Sequence, residues 1–536
     1  MQLRTVNAPV QDERRQVFSL ALRAATRLFQ RATDARMPRP LFARLARRYE
    51  PLSALDRRQF LKLTLAASAG LLISGPGGFT ERPRRRRGTQ RVIIIGGGLS
   101  GLACAYELMH AGCNVTVLEA RNRVGGRVLS LPNLVRGKSV EAGGEFVGRN
   151  HPTWLAYAKQ FGLELFEPRD VEPLDGPVIL GRKRLGPEAV KALFEEMKMA
   201  TKRMTADAMK VDADAPWTSP RAAELDRLTT ARWLRALPVS RLCKLAFASQ
   251  LANYNGCAVG RQSYLGNLAE VKGGGLERFW TESDVYHCRG GNQRLARRFA
   301  QALGPCLCLE TPVSRIQVKD DQATVRCATG ETLTADDVVL AVPPSVWRRI
   351  RFEPELPPAL RPQTGPVVKY LSVVDRRFWE SERLGPDSAT DGLVGATWEA
   401  TAGQPGPGTV LTAFSGGPAA TVCRRRWAQD RGKAYREALE VLYPHYAEHC
   451  TVACFVDWPG DPWTQAGYSF PAPGQVTALG PLLHSGLGRL HFAGEHACYK
   501  FVGYMEGALS SGVAVARRLV GHEDAPVAAP KPSPSV

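Results

Sequence analysis

Apolar residues along this chain follow three spacings, and each predicts a different kind of element. Residues 92–95, Val-Ile-Ile-Ile, are β-branched and apolar on both faces, as in a strand buried within a parallel sheet. Over 102–110 the spacing becomes helical, Gly112 is placed to cap that helix, and 115–118 return to a buried strand. Residues 187–280 are mostly helical in pattern, with Trp233, Leu234, Leu242, Leu245 and Leu251 as the expected core positions. Strand patterns resume at 312–316, which start an antiparallel hairpin that 338–344 is expected to close. Strands at 367–374, 410–414 and 451–455 then predict a mixed sheet. A strand at 490–492 precedes Gly503-Tyr504-Met505-Glu506-Gly507, which opens a last helix running to Val520.

Between the first strand and helix lies Gly96-Gly97-Gly98-Leu99-Ser100-Gly101, a G-x-G-x-x-G. Its glycines permit a tight turn and close approach of backbone to a pyrophosphate, which then sits at the positive end of the helix. Gly96, Gly98, Ser100 and Gly101 are the candidate contacts. Glu119 ends the second strand 18 residues beyond Gly101, where a carboxylate accepts hydrogen bonds from a ribose diol, and Ala120 follows it. A glycine-rich structural turn is the competing reading; strand, helix, second strand and acid in register favour nucleotide binding.

The fold class read from this order is α/β. A discontinuous Rossmann-like nucleotide-binding domain (91–165, 286–345 and 480–523) carries an inserted α+β substrate domain, helical over 166–285 and a mixed sheet over 346–479. A chain of 536 residues, 44% hydrophobic, can bury two such cores.

The formal charge of +20 is unevenly placed. Residues 1–90 hold 18 Arg and Lys62 against six acids, net +13, which leaves +7 for everything after them. Basicity therefore belongs to a leader and linker rather than to the folded body, and nucleic-acid binding is not expected. Within the leader, 16–48 have a basic amphipathic helical pattern broken at Pro38 and Pro40. It suits transient contact with an anionic membrane surface or, equally, a solvated leader. Arg57-Arg58-Gln59-Phe60-Leu61-Lys62, a weakly apolar stretch at 63–73 and a Gly/Pro break at 75–78 resemble a twin-arginine export signal. That resemblance implies the twin-arginine translocase as a partner and a periplasmic or extracellular location. A chance arginine pair would leave the protein cytoplasmic. Met37 offers an alternative start. Residues 524–536, rich in Pro and Ala, predict a disordered tail. The twelve cysteines show neither a C-x-x-C pair nor zinc-ligand spacing, so they read as packing thiols, Cys104 and Cys113 among them, and no metal is expected.

Further motifs narrow the nucleotide. Arg121 and Arg123-Val124-Gly125-Gly126-Arg127 extend the opening motif as a second phosphate clasp, with Arg121, Gly126 and Arg127 as charge-assisted or close-packed contacts. With these residues the sequence resembles flavin-dependent monoamine oxidases of the amine oxidase superfamily, which implies FAD. The resemblance extends to Glu141-Ala142-Gly143-Gly144-Glu145, whose turn at Gly144 and Glu145 would pass beside the flavin ring, and to Val313, whose backbone would meet the adenine. It extends also to Phe492-Ala493-Gly494-Glu495 and the helix opening at Met505. Glu495 would approach the ribityl-pyrophosphate region, and the helix dipole beginning at Met505 would face the flavin's pyrimidine edge.

The resemblance assigns chemistry as well. Tyr468 and Tyr504 would be two aromatic walls before the flavin, with Trp458 in the segment leading there. Lys369, mid-strand in an apolar run, is either an outward strand position or the family lysine that holds a water against flavin N5. Gly467 stands where some members carry a cysteine bonded to FAD, so non-covalent FAD is implied. The implied reaction converts a primary or secondary amine to an imine, then aldehyde and ammonia, while O2 becomes H2O2. An L-amino-acid oxidase, a flavin desaturase or a flavin-binding module without turnover are the alternatives. The first would usually have an arginine at the 141–148 turn, where this chain has Gly144-Glu145-Phe146 and a displaced Arg149. Oligomeric state, a homodimer included, is left open.

Overall fold

The structure is a computed structural model that describes residues 2–5, 90–132, 134–168, 174–426 and 428–521. The amphipathic leader, the twin-arginine motif and the C-terminal tail lie outside these residues. A five-stranded, wholly parallel sheet orders its strands Leu307–Cys308, Asn114–Leu118, Arg91–Ile95, Asp337–Leu340, Leu490–Phe492. Arg91–Ile95 sits centrally because its apolar residues are covered on both faces, as the double-sided run requires.

One expectation is corrected here. Residues 338–344 do not close a hairpin with 312–316. Val313–Val318 pairs instead with Ala323–Cys327, which pairs with Thr332–Ala335. Asp337–Leu340 enters the parallel sheet between Arg91–Ile95 and Leu490–Phe492. All four of its residues are buried, and a two-sided apolar run is satisfied in a central parallel strand but not at a half-solvated hairpin edge.

The first and last of the described helices, Leu99–His110 and Met505–Val520, pack together across more than 400 residues of sequence. Ser100 Oγ lies 3.1 Å from Ser511 Oγ. A Cβ at Gly512 would stand 2.1 Å from the Ser100 carbonyl oxygen, so the approach depends on its missing side chain. Gly112 ends the first helix with φ +85°, as its cap position requires.

A larger, mixed eight-stranded sheet contains Val367–Val374, Thr409–Gly416 and Cys450–Asp457 as expected strands, with Ala396–Glu399 and Val178–Leu180 further out. A helical layer from Pro187–Ala208 to Glu277–Glu282 packs about Phe247, Tyr264 and Trp280. Trp233, Leu234 and Leu251 are buried in it, whereas Leu242 and Leu245 are half-buried at its margin. All twelve cysteines are free thiols, ten buried and two (Cys306 and Cys308) half-buried. Among the described residues no cluster of His, Cys, Asp or Glu is arranged to hold a metal ion, and no helix is long and apolar enough to cross a membrane.

Candidate active site

The two long-range helix partners and the parallel sheet border one elongated cleft enclosing about 1230 Å³, its open mouth included. Gly96, Gly98 and Ser100 line one end, with Glu119, Ala120, Arg121 and Val313 beside them. Gly126, Arg127, Gly144, Glu145, Gly494, Glu495, Tyr504 and Met505 line the remainder. Gly101 stands behind the wall: a Cβ there would lie 2.0 Å from the Gly96 carbonyl oxygen, so glycine closes helix onto strand. Met505 closes over the second turn, its sulfur 2.7 Å from where a Cβ on Gly144 would be.

The electrostatics suit an anionic dinucleotide. Neither N-cap residue, Gly98 or Tyr504, supplies a side-chain capping bond. The first-turn N–H groups of both helices lack intrahelical acceptors, and both helices begin at the cleft. One N-terminus therefore meets the end where a pyrophosphate would bind, and the other meets the far end. Glu119 is pinned by the Gly97 N–H donating to Oε2 (2.7 Å) and the Arg121 N–H donating to Oε1 (2.9 Å). Two arginines read as phosphate donors bind protein carboxylates in this structure. Arg121 Nη2 donates to Asp461 Oδ1 at 2.6 Å and Thr464 Oγ1 at 3.2 Å. Arg127 Nη1 donates to Glu495 Oε1 at 2.7 Å and the Gly467 carbonyl at 3.1 Å. A buried guanidinium needs an anion, and these pairs tie the front motif to chain more than 330 residues away.

His496 ends the Phe492-Ala493-Gly494-Glu495-His496 motif, in which sequence alone assigns it no role. It is buried and borders the cleft, and neither ring nitrogen has a hydrogen-bond partner among the described residues. Burial pushes its imidazole down to about 4, against the opposing pull of Glu495, so the ring is neutral at physiological pH. A neutral imidazole carries one donor and one acceptor, and leaving both unmet in the interior is costly. Glycine turns, two uncapped helix ends and this orphaned ring together fit a bound FAD.

The residues assigned chemistry divide. Tyr504 lines the cleft, and its hydroxyl hydrogen-bonds that of Tyr254. Tyr468 is wholly buried among Phe146, Val367, Trp398 and Phe414, and its hydroxyl donates to the Asn253 carbonyl at 2.8 Å. Both phenols are thus anchored on consecutive residues at the end of helix Arg241–Tyr254. Behind Tyr468 the backbone of Gly256 lies so close that a Cβ would be 3.0 Å from the ring. Trp458 supports the second glycine turn from outside the cleft, its indole N–H donating to the Ala142 carbonyl at 3.1 Å. Lys369 is fully buried rather than outward-facing. Its ammonium donates to Glu145 Oε2 at 2.5 Å and the Glu141 carbonyl at 2.8 Å. Arg149 turns away from the cleft to Glu167 (2.8 Å) and the Tyr286 hydroxyl (3.1 Å).

Comparison with known proteins matches this geometry. The sequence pattern of the family described as flavin containing amine oxidoreductase matches residues 99–520, and that of pyridine nucleotide-disulphide oxidoreductases matches 58–132. The flavin-containing amine oxidase of Danio rerio is 30% identical over 460 residues, 80% of this chain and 85% of that protein. Flavin-containing amine oxidase B of Homo sapiens is 30% identical over 460 residues, 80% and 86% respectively. The solved cyclohexylamine oxidase from Brevibacterium oxydans has a TM-score of 0.71 at 27% identity, covering 80% of this chain and 99% of that one. The chain belongs to the flavin-containing amine oxidoreductase family, and it is an FAD-dependent enzyme of amine oxidation.

Replacing His496 by Leu should weaken FAD binding by about tenfold, the value of one buried hydrogen bond of roughly 1–1.5 kcal/mol. Titration of apoprotein with FAD, followed by flavin fluorescence, measures it. The same imidazole has a second signature. Because its folded pKa is depressed, it contributes stability that is present above its unfolded value near 6.5 and lost as pH falls toward 4. The melting temperature of the His496→Leu apoprotein should accordingly fall less than wild type's across that window.

Proposed function

We propose that this amine-oxidising flavoenzyme acts on a primary or secondary amine lacking an α-carboxylate, with O2 as electron acceptor and H2O2 as product. The observation that carries the reading is the charge at the turn beside the flavin site. A buried carboxylate, Glu145, occupies the cleft wall there. The nearby guanidinium of Arg149 is committed to Glu167 and Tyr286. Both cations near that turn, Lys369 and Arg149, are thus committed to protein carboxylates, so a substrate carboxylate finds no guanidinium directed at it, whereas an amine meets aromatic faces.

In this reading Tyr504 flanks the amine from the cleft wall and Tyr468, which does not line the cleft in this structure, would complete the aromatic pair once substrate is seated, both phenols held by the hydroxyl anchors at Asn253 and Tyr254. FAD bound in the cleft would supply the two-electron acceptor for the α-hydrogen, and the imine released would hydrolyse in water to aldehyde and ammonia. Water is kept from the walls by the apolar packing of Phe146, Trp398 and Phe414. Non-covalent attachment is supported by Gly467, where a Cβ would stand 2.7 Å from Val367 Cγ2 and 2.9 Å from the Gly365 carbonyl oxygen. Among the described residues no cysteine lines the cleft. Export through the twin-arginine route is part of the same proposal. It fits an enzyme that takes up its cofactor during cytoplasmic folding.

Purified protein mixed anaerobically with a panel of amines and of L-amino acids tests the substrate class. Bleaching of the yellow colour by an amine, then peroxide release on admitting air, is expected; bleaching only by amino acids would overturn the reading. Tyr504→Leu and Tyr468→Leu should each lower kcat/KM for that amine about tenfold or more, from roughly 1–2 kcal/mol of lost aromatic contact. Acid precipitation should leave intact FAD in the supernatant, and yellow pellet protein would refute non-covalent binding. Arg57→Lys combined with Arg58→Lys should retain the protein in the cytoplasm, as read by cell fractionation.

A further inference from the structure

Beneath the second glycine turn lies a buried charge cluster that the reaction as described leaves unused. Glu145 reaches the cleft wall and Lys369 does not. Both side chains are wholly buried, and Lys369 Nζ stands 2.5 Å from Glu145 Oε2. The other carboxylate oxygen accepts the Trp398 indole N–H at 2.8 Å, and the ammonium lies 5.1 Å from the centre of that same indole ring. A third ionisable group, Glu141, faces the pair from the strand before the turn. It accepts from the Asn292 N–H at 2.7 Å and the Ser130 hydroxyl at 2.9 Å. Burial pushes Glu141 up to about 8 and raises Glu145 as well, the latter against the opposing pull of Lys369, so below that pH Glu141 is neutral and it is Glu145 that faces the ammonium as its counter-charge.

Such a pair is expensive to build. Each buried ion costs several kcal/mol to desolvate, and hydrophobic residues of like volume often serve stability as well. Its location supplies a reason to keep it. Asn292 Nδ2 donates to the carbonyls of both Gly144 and Glu145 at 2.7 Å, fixing the turn that carries the carboxylate into the wall. The carboxylate, and behind it the ammonium, are therefore held at fixed positions in a low-dielectric wall, where a single charge acts strongly on a ligand in the cleft.

We propose that Glu145 is the counter-ion that cancels the field of Lys369 at the cleft and so sets the reduction equilibrium of the bound flavin. Reduction places negative charge on the cofactor. An uncompensated ammonium behind the wall would favour that state, and the paired carboxylate removes the bias. Glu145 is in this sense a positioning residue, acting through charge balance with Lys369. The inference rests on the FAD assignment, and the experiment separates the two: purified protein without a flavin spectrum fails the assignment, whereas flavin-loaded protein with an unmoved potential fails this proposal alone.

The test is the midpoint potential of the holoprotein, by dye-coupled anaerobic titration, in wild type, Glu145→Gln, Lys369→Met and the double variant. Glu145→Gln should raise the equilibrium constant for reduction at least tenfold, a positive shift of about 30 mV for a two-electron couple. The double variant, neutral again, should return to within threefold of wild type. Glu145→Asp, which keeps the charge, should stay close to wild type. The proposal is overturned if Glu145→Gln stays within threefold of wild type both alone and combined with Lys369→Arg, whose guanidinium keeps its charge. It is equally overturned if the double variant retains the full shift, or if Glu145→Asp moves the potential as far as Glu145→Gln. Should Glu145→Gln fail to retain FAD, Lys369→Met decides, compared with wild type from pH 8 up to the highest pH at which both stay folded, where Glu141 is charged in both proteins and ionisation of Glu145 without its partner is favoured. A tenfold fall in the reduction constant is expected there, and no change refutes the idea.

Discussion

The fold depends on one close approach: the last helix seated against the first with almost nothing between their backbones. Gly512 over Ser100 makes the contact possible, and Gly101 over Gly96 brings the first helix equally close to its strand. Because both helices start at the cleft, this contact also sets the two positive dipole ends that the cofactor would meet. Segments separated by some 400 residues thus become one binding surface. Arg121 with Asp461 and Arg127 with Glu495 fasten the remaining walls to this frame.

What the sequence made legible was what local geometry dictates. Glycine turns announce themselves because the positions admit no Cβ, and the acid at 119 follows at a spacing set by one helix and one strand. Fourteen of the fifteen residues expected to meet the cofactor line the cleft, and Gly101 acts just behind them. The strand at 337–340 was recognisable as a strand but assigned to the wrong sheet. Apolar periodicity tells that a strand is buried on both faces, not which neighbours cover it.

The unread part of the site consists of partners distant in sequence. Nothing around Trp398 suggested that its indole would donate to Glu145, and Tyr254 reads as one more core aromatic at the end of an ordinary helix. Lys369 stood out as an anomaly in an apolar strand, yet the anion that satisfies it lies 224 residues away. His496 carried a faint signal, a titratable residue adjoining a glycine-acid turn. Only three-dimensional burial reveals that its ring nitrogens face no partner among the described residues.

The free thiols have a chemical meaning beyond packing. Burial holds several of them far toward the protonated form, with Cys454 and Cys498 pushed up to about 11 and Cys243 and Cys288 to about 12. Oxidants attack the thiolate and scarcely touch the thiol. A chain bearing twelve cysteines can therefore tolerate peroxide in its surroundings without relying on disulfides, because its interior keeps most of its thiols in the unreactive state. The half-buried pair at 306 and 308 is where oxidative damage would begin.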